Sequence, residues 1–167
     1  SDEIYEHINF SGTFCSIASI PGMLERTITV NGVAKAFAMT GWRIGYIGAP
    51  EFIAKACTKI QGQVTSGANS IAQRATITAV EADPSVLNEM VAAFKNRRDL
   101  VVRLVNEIPG FKLNVPEGAF YVFPDVSFYF GKTIKGTEIK NATDFSMFLL
   151  AEANVATVTG DAFGNPN

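Results

Sequence analysis

The stretch TVNGVAKAFAMTGWRIGYIGAP, from Thr29 to Pro50, places two cations in what is otherwise an apolar core segment. Lys35 lies among small and apolar residues, and Arg43 follows between Gly41 and Gly45. Burial of a cation is costly unless something compensates it, so most lysines and arginines lie at the surface. The segment therefore needs an explanation in terms of what these two side chains contact.

Each cation has an ordinary interpretation and a chemical one. The stem of Lys35 can pack while its ammonium reaches water, which is the usual case for a lysine in such a segment. Alternatively, desolvation or a nearby cation can free a lysine amine to form a Schiff base with a carbonyl. Arg43 can pair with a core carboxylate or bind a phosphate through its planar fork. Glycines beside it would let the backbone approach such an anion closely.

The composition restricts the protein class. The chain has 167 residues, of which 47% are hydrophobic and 18% charged, which is typical of a globular protein of one domain or two small ones. The net charge of −2 gives no general affinity for nucleic acid or an anionic membrane. No apolar run is long enough to span a bilayer and no signal peptide is visible. The only two cysteines, Cys15 and Cys57, are typical of reduced thiols in a cytoplasmic protein.

Periodicity and turn signals predict alternating strands and helices. Asp83 and Pro84 predict the start of a long amphipathic helix that runs to the Pro109-Gly110 stop. This order indicates an α/β part over residues 1–83, followed by the helix and a smaller α+β part over residues 84–167. The first predicted strand ends within Ile4–Phe10. The other predicted strands are Thr27–Val30, Arg43–Ile47, Phe111–Val115, Ala119–Phe123 and Val155–Thr159. The other predicted helices are about Pro50–Gln61, Asn69–Ala82 and Thr143–Ala153.

Several local motifs favour structural roles. Asn31-Gly32 predicts a turn after the first β-branched strand. Asn141 is expected to cap a helix, although Asn141-Ala142-Thr143 also matches a glycosylation acceptor. His7, the sole histidine, is expected to be structural. Residues 117–120, Glu-Gly-Ala-Phe, predict a hairpin turn first and a substrate-facing phenylalanine only second, and residues 65–70 predict a polar loop that caps the next helix.

The segment NGVAKAFAMTGWRIGY closely resembles the lysine segment of fold-type-I pyridoxal-phosphate enzymes, specifically class I/II aminotransferases. The opening SDEIYEHINF is similar to a second segment of that family, and the two occur in the family's order. PEGAFYVFP and the closing GDAFGNP resemble it as well, so the resemblance covers the whole chain. It implies part of the family's large-domain sheet, joined by the long helix to a small α+β domain and incomplete at both ends.

The resemblance also implies a role for four residues in holding pyridoxal 5'-phosphate. Lys35 would hold the cofactor as a Schiff base and, once released, move a proton at the substrate α-carbon. Asp2 would face the pyridine nitrogen and keep it protonated, which makes the ring a better electron sink. Tyr5 would donate a hydrogen bond to the ring oxygen, and Arg43 would clamp the phosphate.

The chain departs from the family pattern at three points. Ala34 precedes the lysine where the family usually has a serine that assists at the phosphate. A cofactor-contacting asparagine is expected before Ser1, and an arginine that grips the substrate α-carboxylate is expected after Asn167. The sequence is therefore expected to be a fragment that does not transaminate alone.

The resemblance predicts a homodimeric enzyme that transfers an amino group between an amino acid and a 2-oxo acid. Likeness of the lysine segment to prokaryotic aspartate aminotransferases favours aspartate and 2-oxoglutarate. Aromatic or alanine transamination, or a lyase of the same fold, remains an alternative. A non-catalytic interaction domain that retains the fold is a further alternative, which loss of Lys35, Arg43 or Asp2 would have favoured.

Overall fold

A computed structural model describes residues 1–166. It contains four helices and four short strands in the described chain, together with several 3-10 turns. The elements are β1 (Thr29–Gly32), β2 (Gly45–Gly48), α1 (Glu51–Val64), α2 (Ser70–Val80), α3 (Asn88–Asn106), β3 (Lys132–Ile134), β4 (Thr137–Ile139) and α4 (Ala142–Ala153).

The chain forms two compact units. The first comprises Ser1–Lys95 with Glu117–Phe120, and the second comprises Asn96–Pro116 with the described residues from Tyr121 onward. Helix α3 contributes residues to both. The identity of these units as a large and a small domain divided at residue 83 stays a prediction. No helix in residues 1–166 combines the length and apolarity that a membrane crossing requires.

Strands β1 and β2 form an antiparallel pair in the first unit, in the register Thr29↔Gly48 to Gly32↔Gly45. The strands are present where the sequence predicted them, with shifted bounds. The predicted turn at Asn31-Gly32 is wrong, because both residues belong to β1 and pair with β2. Gly32 serves the pairing, since a Cβ there would lie 3.0 Å from the Ile44 carbonyl oxygen.

Side-chain caps define where the helices begin. The Asn69 side chain accepts the backbone N–H groups of Ile71 and Ala72 at the start of α2. The Asp83 carboxylate accepts the N–H of Ser85, and hydrogen bonding from Ser85 lowers the pKa of that carboxyl. This cap opens the 3-10 turn Pro84–Leu87, which continues directly into α3, so the predicted helix start is confirmed.

The second unit has its core where α4 packs near β4. Asn141 caps α4 as predicted by accepting the Asp144 N–H, and Asp144 in turn accepts the N–H of Lys140. The β3–β4 hairpin was not predicted, although Lys135 and Gly136 take the positive φ values of a tight two-residue turn. The core residues of the second unit are Val126, Ile139, Ala142 and Phe145. Partly buried apolar and aromatic side chains pack against them: Phe111, Tyr129, Phe130, Ile134, Phe148 and Leu149.

Four predicted strands are wrong in the described chain, because a strand requires a ladder partner and these segments have at most single bridges. Residues 4–7 form turns instead, and residues 8–10 contribute only the Asn9↔Gly118 bridge. Residues 111–115 contribute only the Lys112↔Asp125 bridge, and residues 119–123 and 155–159 form no ladder. The alternation over residues 111–115 thus indicated partial burial without pairing, whereas residues 155–158 are exposed.

The Asn69 cap predicts a measurable effect on stability. Asn69→Ala should lower the free energy of unfolding by about 1 kcal/mol, because two N–H groups at the start of α2 lose their acceptor. Urea unfolding followed by circular dichroism measures the change. Asn69→Ser retains an acceptor and should lose markedly less; an equal loss in both variants would show that the cap is not the cause.

Candidate active site around Lys35

Lys35 lies on a turn that follows β1 and is anchored by buried neighbours. Val33 and Ala36 are 0% and 3% exposed, whereas Lys35 itself is half-buried. The Ala38 N–H donates to the Lys35 carbonyl oxygen at 3.2 Å, and the Met39 N–H donates to that of Val33 at 3.4 Å. The apolar residues of the quoted segment thus fix the backbone, so the lysine stem leaves a rigid base.

Two aromatic rings lie on one side of the Lys35 amine. Its Nζ lies 5.9 Å from the centroid of the Tyr5 ring and 5.5 Å from that of Phe120. The two rings meet edge to face at 5.2 Å. In the described chain the amine has no hydrogen-bond acceptor and no ion-pair partner. The electron-rich ring faces therefore compensate part of its lost hydration while its nitrogen remains available for chemistry.

Phe120 reaches this position because its segment is bonded to residues near the chain start. Gly118 pairs with Asn9 as an antiparallel bridge, and a Cβ on Gly118 would lie 2.9 Å from the Ile8 carbonyl oxygen. The ring of Phe94 stacks on that of Phe120 with centroids 5.4 Å apart. The hairpin predicted for residues 117–120 is wrong, because this segment pairs with residues 8–10. The sequence signal for the site was the second interpretation of that stretch, a substrate-facing phenylalanine, which stays a prediction.

Asp2 runs beside β1 just before the lysine turn. It forms a parallel bridge with Val30, supported by the Glu3 N–H donating to the Val30 carbonyl and the Val30 N–H donating to the Ser1 carbonyl, both at 2.8 Å. Its exposed carboxylate accepts the N–H of Ile4 at 3.2 Å. The structure therefore brings Tyr5 to Lys35 and places Asp2 at the neighbouring strand, with no ion pair between Asp2 and Lys35.

Arg43 takes a left-handed backbone conformation, with φ of 53°, at the end of the 3-10 turn Thr40–Trp42. Its Nη1 donates to the Thr40 carbonyl oxygen at 2.7 Å. No carboxylate pairs with this guanidinium in residues 1–166. The core ion pair considered from the sequence is therefore absent from the described chain. Arg43 is exposed, and in residues 1–166 the Thr40 carbonyl is its protein acceptor, so its other N–H groups are open to water or to an external anion.

A second polar cluster lies next to Tyr5. The Glu6 Oε1 accepts a hydrogen bond from Asn31 Nδ2 at 2.6 Å and lies 3.4 Å from Nε2 of the exposed His7. Asn31 faces Tyr46 across the β1–β2 pair. Burial raises the pKa of the Tyr46 hydroxyl, and the negative charge of Glu6 raises it further. Sequence reasoning missed this cluster, since nothing in the spacing of residues 6, 31 and 46 indicates that they meet.

The architecture and the lysine site together define an α/β chain of the aminotransferase fold, as the solved structures show. An aspartate aminotransferase from Rhizobium meliloti superposes with a TM-score of 0.91 at 48% identity, over 98% of this chain and 42% of that chain. An aromatic aminotransferase from Pyrococcus horikoshii superposes with a TM-score of 0.83 at 40% identity, over 99% of this chain and 42% of that chain.

The family model for aminotransferase class I and II matches residues 1–167, and the chain belongs to this family. A bifunctional aspartate aminotransferase and glutamate/aspartate-prephenate aminotransferase from Petunia hybrida is 50% identical over 99% of this chain and 36% of its own length. An aspartate aminotransferase from Pinus pinaster is 49% identical over 99% of this chain and 35% of its own length. The chain thus spans about a third to two fifths of the relatives that it matches.

The donor set of the described site fits pyridoxal phosphate. An amine without an acceptor suits the cofactor's aldehyde, and an arginine without a carboxylate suits its phosphate. A phenol hydroxyl and a carboxylate, on Tyr5 and Asp2, match its ring oxygen and ring nitrogen in type. The assignment of these four residues to the cofactor stays a prediction.

The Glu6 charge predicts a titration shift at Tyr46. Glu6→Gln should lower the pKa of Tyr46, because an anion beside the phenol disfavours the phenolate, while burial keeps the pKa above its ordinary value. The raised pKa of Tyr46 in the folded protein favours the protonated phenol. The contribution of Tyr46 to the stability of the fold is therefore present below pH 10 and is lost as the pH rises through the folded-state pKa. Ultraviolet titration with Tyr46→Phe as the blank measures the shift. An unchanged pKa, or an equal shift in the surface variant Glu51→Gln, would contradict the coupling.

Proposed function

We propose that the whole protein transfers the amino group of an amino acid to a 2-oxo acid by means of pyridoxal 5'-phosphate, with aspartate and 2-oxoglutarate as the pair. The observation that carries the proposal is the half-buried Lys35 amine, which has no acceptor in the described chain and lies beside two aromatic rings. A lysine amine that no carboxylate engages is available to form a Schiff base with a carbonyl. Family membership supports the same conclusion.

Each of the four predicted residues has a task that follows from its chemistry. When bound, the cofactor supplies an electron sink that acidifies the carbon bearing the amino group. The Lys35 amine would take a proton from that carbon and return one to it, since no carboxylate in residues 1–166 pairs with it. The Tyr5 hydroxyl donates to the ring oxygen, the Asp2 carboxylate keeps the ring nitrogen protonated, and the Arg43 fork holds the phosphate.

The rings of Tyr5 and Phe120 form one side of the surroundings of the amine. Their centroids lie 5.9 and 5.5 Å from the nitrogen and 5.2 Å from each other, so they restrict access of water from that side. Exclusion of water strengthens electrostatic interactions in a site and suppresses side reactions. The buried residues Val33 and Ala36 hold the lysine backbone, so the amine keeps one orientation.

Aspartate is favoured because the relatives at 48–50% identity carry aspartate aminotransferase names, whereas the aromatic aminotransferase structure is 40% identical. Aromatic or alanine transamination and a lyase reaction on the same fold are the alternatives. A non-catalytic domain that retains the fold is less favoured, because Lys35, Asp2 and Arg43 are all present.

The proposal includes a homodimer in the cytoplasm. Helix α1 exposes large apolar side chains, Phe52 at 75% and Val64 at 73%, and such surface requires cover in the whole protein. Both cysteines are free and exposed, a state that suits a reducing compartment.

The reaction is tested with the full-length protein and added pyridoxal phosphate. Aspartate should exceed phenylalanine and alanine as amino donor to 2-oxoglutarate by about 100-fold or more in kcat/KM, because a site that pairs a second carboxylate has unpaired polar groups when the substrate lacks one. Higher kcat/KM with phenylalanine or alanine would assign the alternative specificity. Absence of transfer from any donor by the cofactor-loaded protein would contradict the proposal.

Lys35 is predicted to be the residue that carries the cofactor. Borohydride reduction makes the lysine–cofactor linkage permanent, and peptide mass mapping should then locate the pyridoxyl group on Lys35. Lys55 and Lys59 lie on the exposed helix α1 and serve as internal controls. Recovery of the label on either of these instead of Lys35 would refute the assignment.

Arg43 is predicted to serve the phosphate. Arg43→Lys keeps the charge but loses the planar fork, so it should weaken cofactor binding by about tenfold while the melting temperature of the cofactor-free protein changes little. Equilibrium dialysis and thermal unfolding measure the two effects. The matched control is Arg103→Lys on α3, whose exposed guanidinium pairs with Glu107. Unchanged affinity with a collapsed melting temperature would establish a structural role for Arg43.

A further inference from the structure

We propose that Glu6 and Asn31 form a positioning pair that holds the Tyr5 ring beside the Lys35 amine. Neither residue touches the amine; they act through the backbone segments that carry Tyr5 and Lys35. The catalytic meaning of this inference rests on the proposed function, whereas the geometry on which it depends can be tested in the protein without cofactor.

The first part of the geometry is the turn that carries Tyr5. The Glu6 N–H donates to the Glu3 carbonyl oxygen at 3.0 Å, and the Ile8 N–H donates to that of Tyr5 at 2.9 Å. Ile8 is 1% exposed and anchors the far end of the turn. Tyr5 and Glu6 are therefore adjacent on a tightly bonded turn, and a displacement of the Glu6 side chain moves the backbone that carries the tyrosine.

The second part is the strand that leads into Lys35. Asn31 lies in β1, four positions before the lysine. Its Oδ1 accepts the N–H of Gly32 at 2.7 Å, which orients the amide so that Nδ2 donates to Glu6 at 2.6 Å. Both ends of the Asn31 side chain are thus used, and its position is fixed by the pairing with Tyr46.

The hydrogen bond between Asn31 and the Glu6 carboxylate is a strong one. A hydrogen bond to a carboxylate is shorter and stronger than one between neutral groups, and the Glu6 side chain is only 30% exposed. The neighbouring backbone tie, from the Glu3 N–H to the Val30 carbonyl, lies one residue earlier on β1. The side-chain pair adds to the backbone bonds at Val30 an attachment one residue closer to the lysine, which restrains the end of the turn that carries Tyr5.

The Glu6–Asn31 pair affects the orientation of the Tyr5 ring. Its hydroxyl must point at one acceptor, and a hydrogen bond weakens steeply as its angle departs from linear. Loss of the side-chain pair would leave this end of the turn held by backbone bonds alone, which would let the ring shift and alter the 5.9 Å separation from Lys35 Nζ. His7 shares the Glu6 oxygen at 3.4 Å, but its exposed ring meets competition from water and does not replace Asn31.

The test uses the full-length protein with five variants: Glu6→Ala, Asn31→Ala, the double variant, Glu6→Gln and the control Glu51→Gln. Glu6→Gln retains an oxygen that accepts from Asn31. Glu51→Gln removes a carboxylate that pairs with Lys55 on the surface at 2.6 Å. In the cofactor-free protein, trace acetylation with acetic anhydride and mass mapping give the rate of Lys35 modification relative to Lys59. In the loaded protein, visible circular dichroism reports the asymmetry around the bound pyridoxal phosphate.

Glu6→Ala and Asn31→Ala should each change the Lys35/Lys59 rate ratio by about threefold or more, an increase being expected because the half-buried amine becomes more accessible. The double variant should change it no more than either single one, since both remove the same contact. Both single variants should also reduce the visible circular dichroism of the loaded protein. Glu6→Gln and Glu51→Gln should retain the wild-type ratio and spectrum, a pattern that general destabilisation would not produce.

Unchanged ratios in both alanine variants, or effects that add in the double variant, would overturn the positioning role. Asn31→Ala decides the matter from the other partner if Glu6→Ala fails to fold. A wild-type protein without a cofactor band would instead overturn the proposed function, and the acetylation ratios would still decide on the pair.

Discussion

A half-buried ammonium group with no anionic partner is the constraint around which the first unit is arranged. Lys35 loses part of its hydration and gains no carboxylate in the described chain. Two ring faces at 5.5 and 5.9 Å compensate part of that loss, because the negative face of an aromatic ring attracts a cation. A carboxylate in their place would have favoured the protonated ammonium, which is not nucleophilic. The absence of such a partner in the described chain leaves the nitrogen available to a carbonyl.

The rings come from opposite ends of the first unit's sequence, and backbone bonding brings them together. Tyr5 belongs to a turn tied to β1 through Val30, while Phe120 belongs to a segment tied to Ile8 and Asn9. Gly118 makes this second tie possible, since a side chain there would collide with the Ile8 carbonyl oxygen. The residues that make the site thus depend on a few hydrogen bonds between segments that are not regular strands.

Charge is distributed around this arrangement in a way that agrees with an anionic cofactor. Arg43 has no carboxylate partner, whereas Glu6, the acidic group beside the Tyr5 turn, is occupied by Asn31 and His7. Within residues 1–166 Glu6 therefore forms no ion pair with either of the two cations that the opening segment predicts to be functional. An external phosphate and an external carbonyl would supply what these cations lack.

The amino-acid sequence by itself determined the features that depend on neighbours in the chain. Caps at Asn69, Asp83 and Asn141 set the helix starts, because the capping groups lie within three residues of the N–H groups that they accept. The lysine and arginine were identifiable because they stand in one contiguous segment whose residues resemble a known pattern.

The tertiary structure alone decided which segments pair as strands and which distant side chains meet. Alternation over residues 111–115 predicted a strand, and residues 155–159 were also predicted as one. A strand forms only where a partner offers a ladder, and no local pattern reveals that partner. The arrival of Phe120 beside Lys35, and of Glu6 beside Asn31, joins residues separated by 85 and 25 positions. Such contacts depend on how the backbone returns on itself, which the spacing of residues in the sequence does not contain.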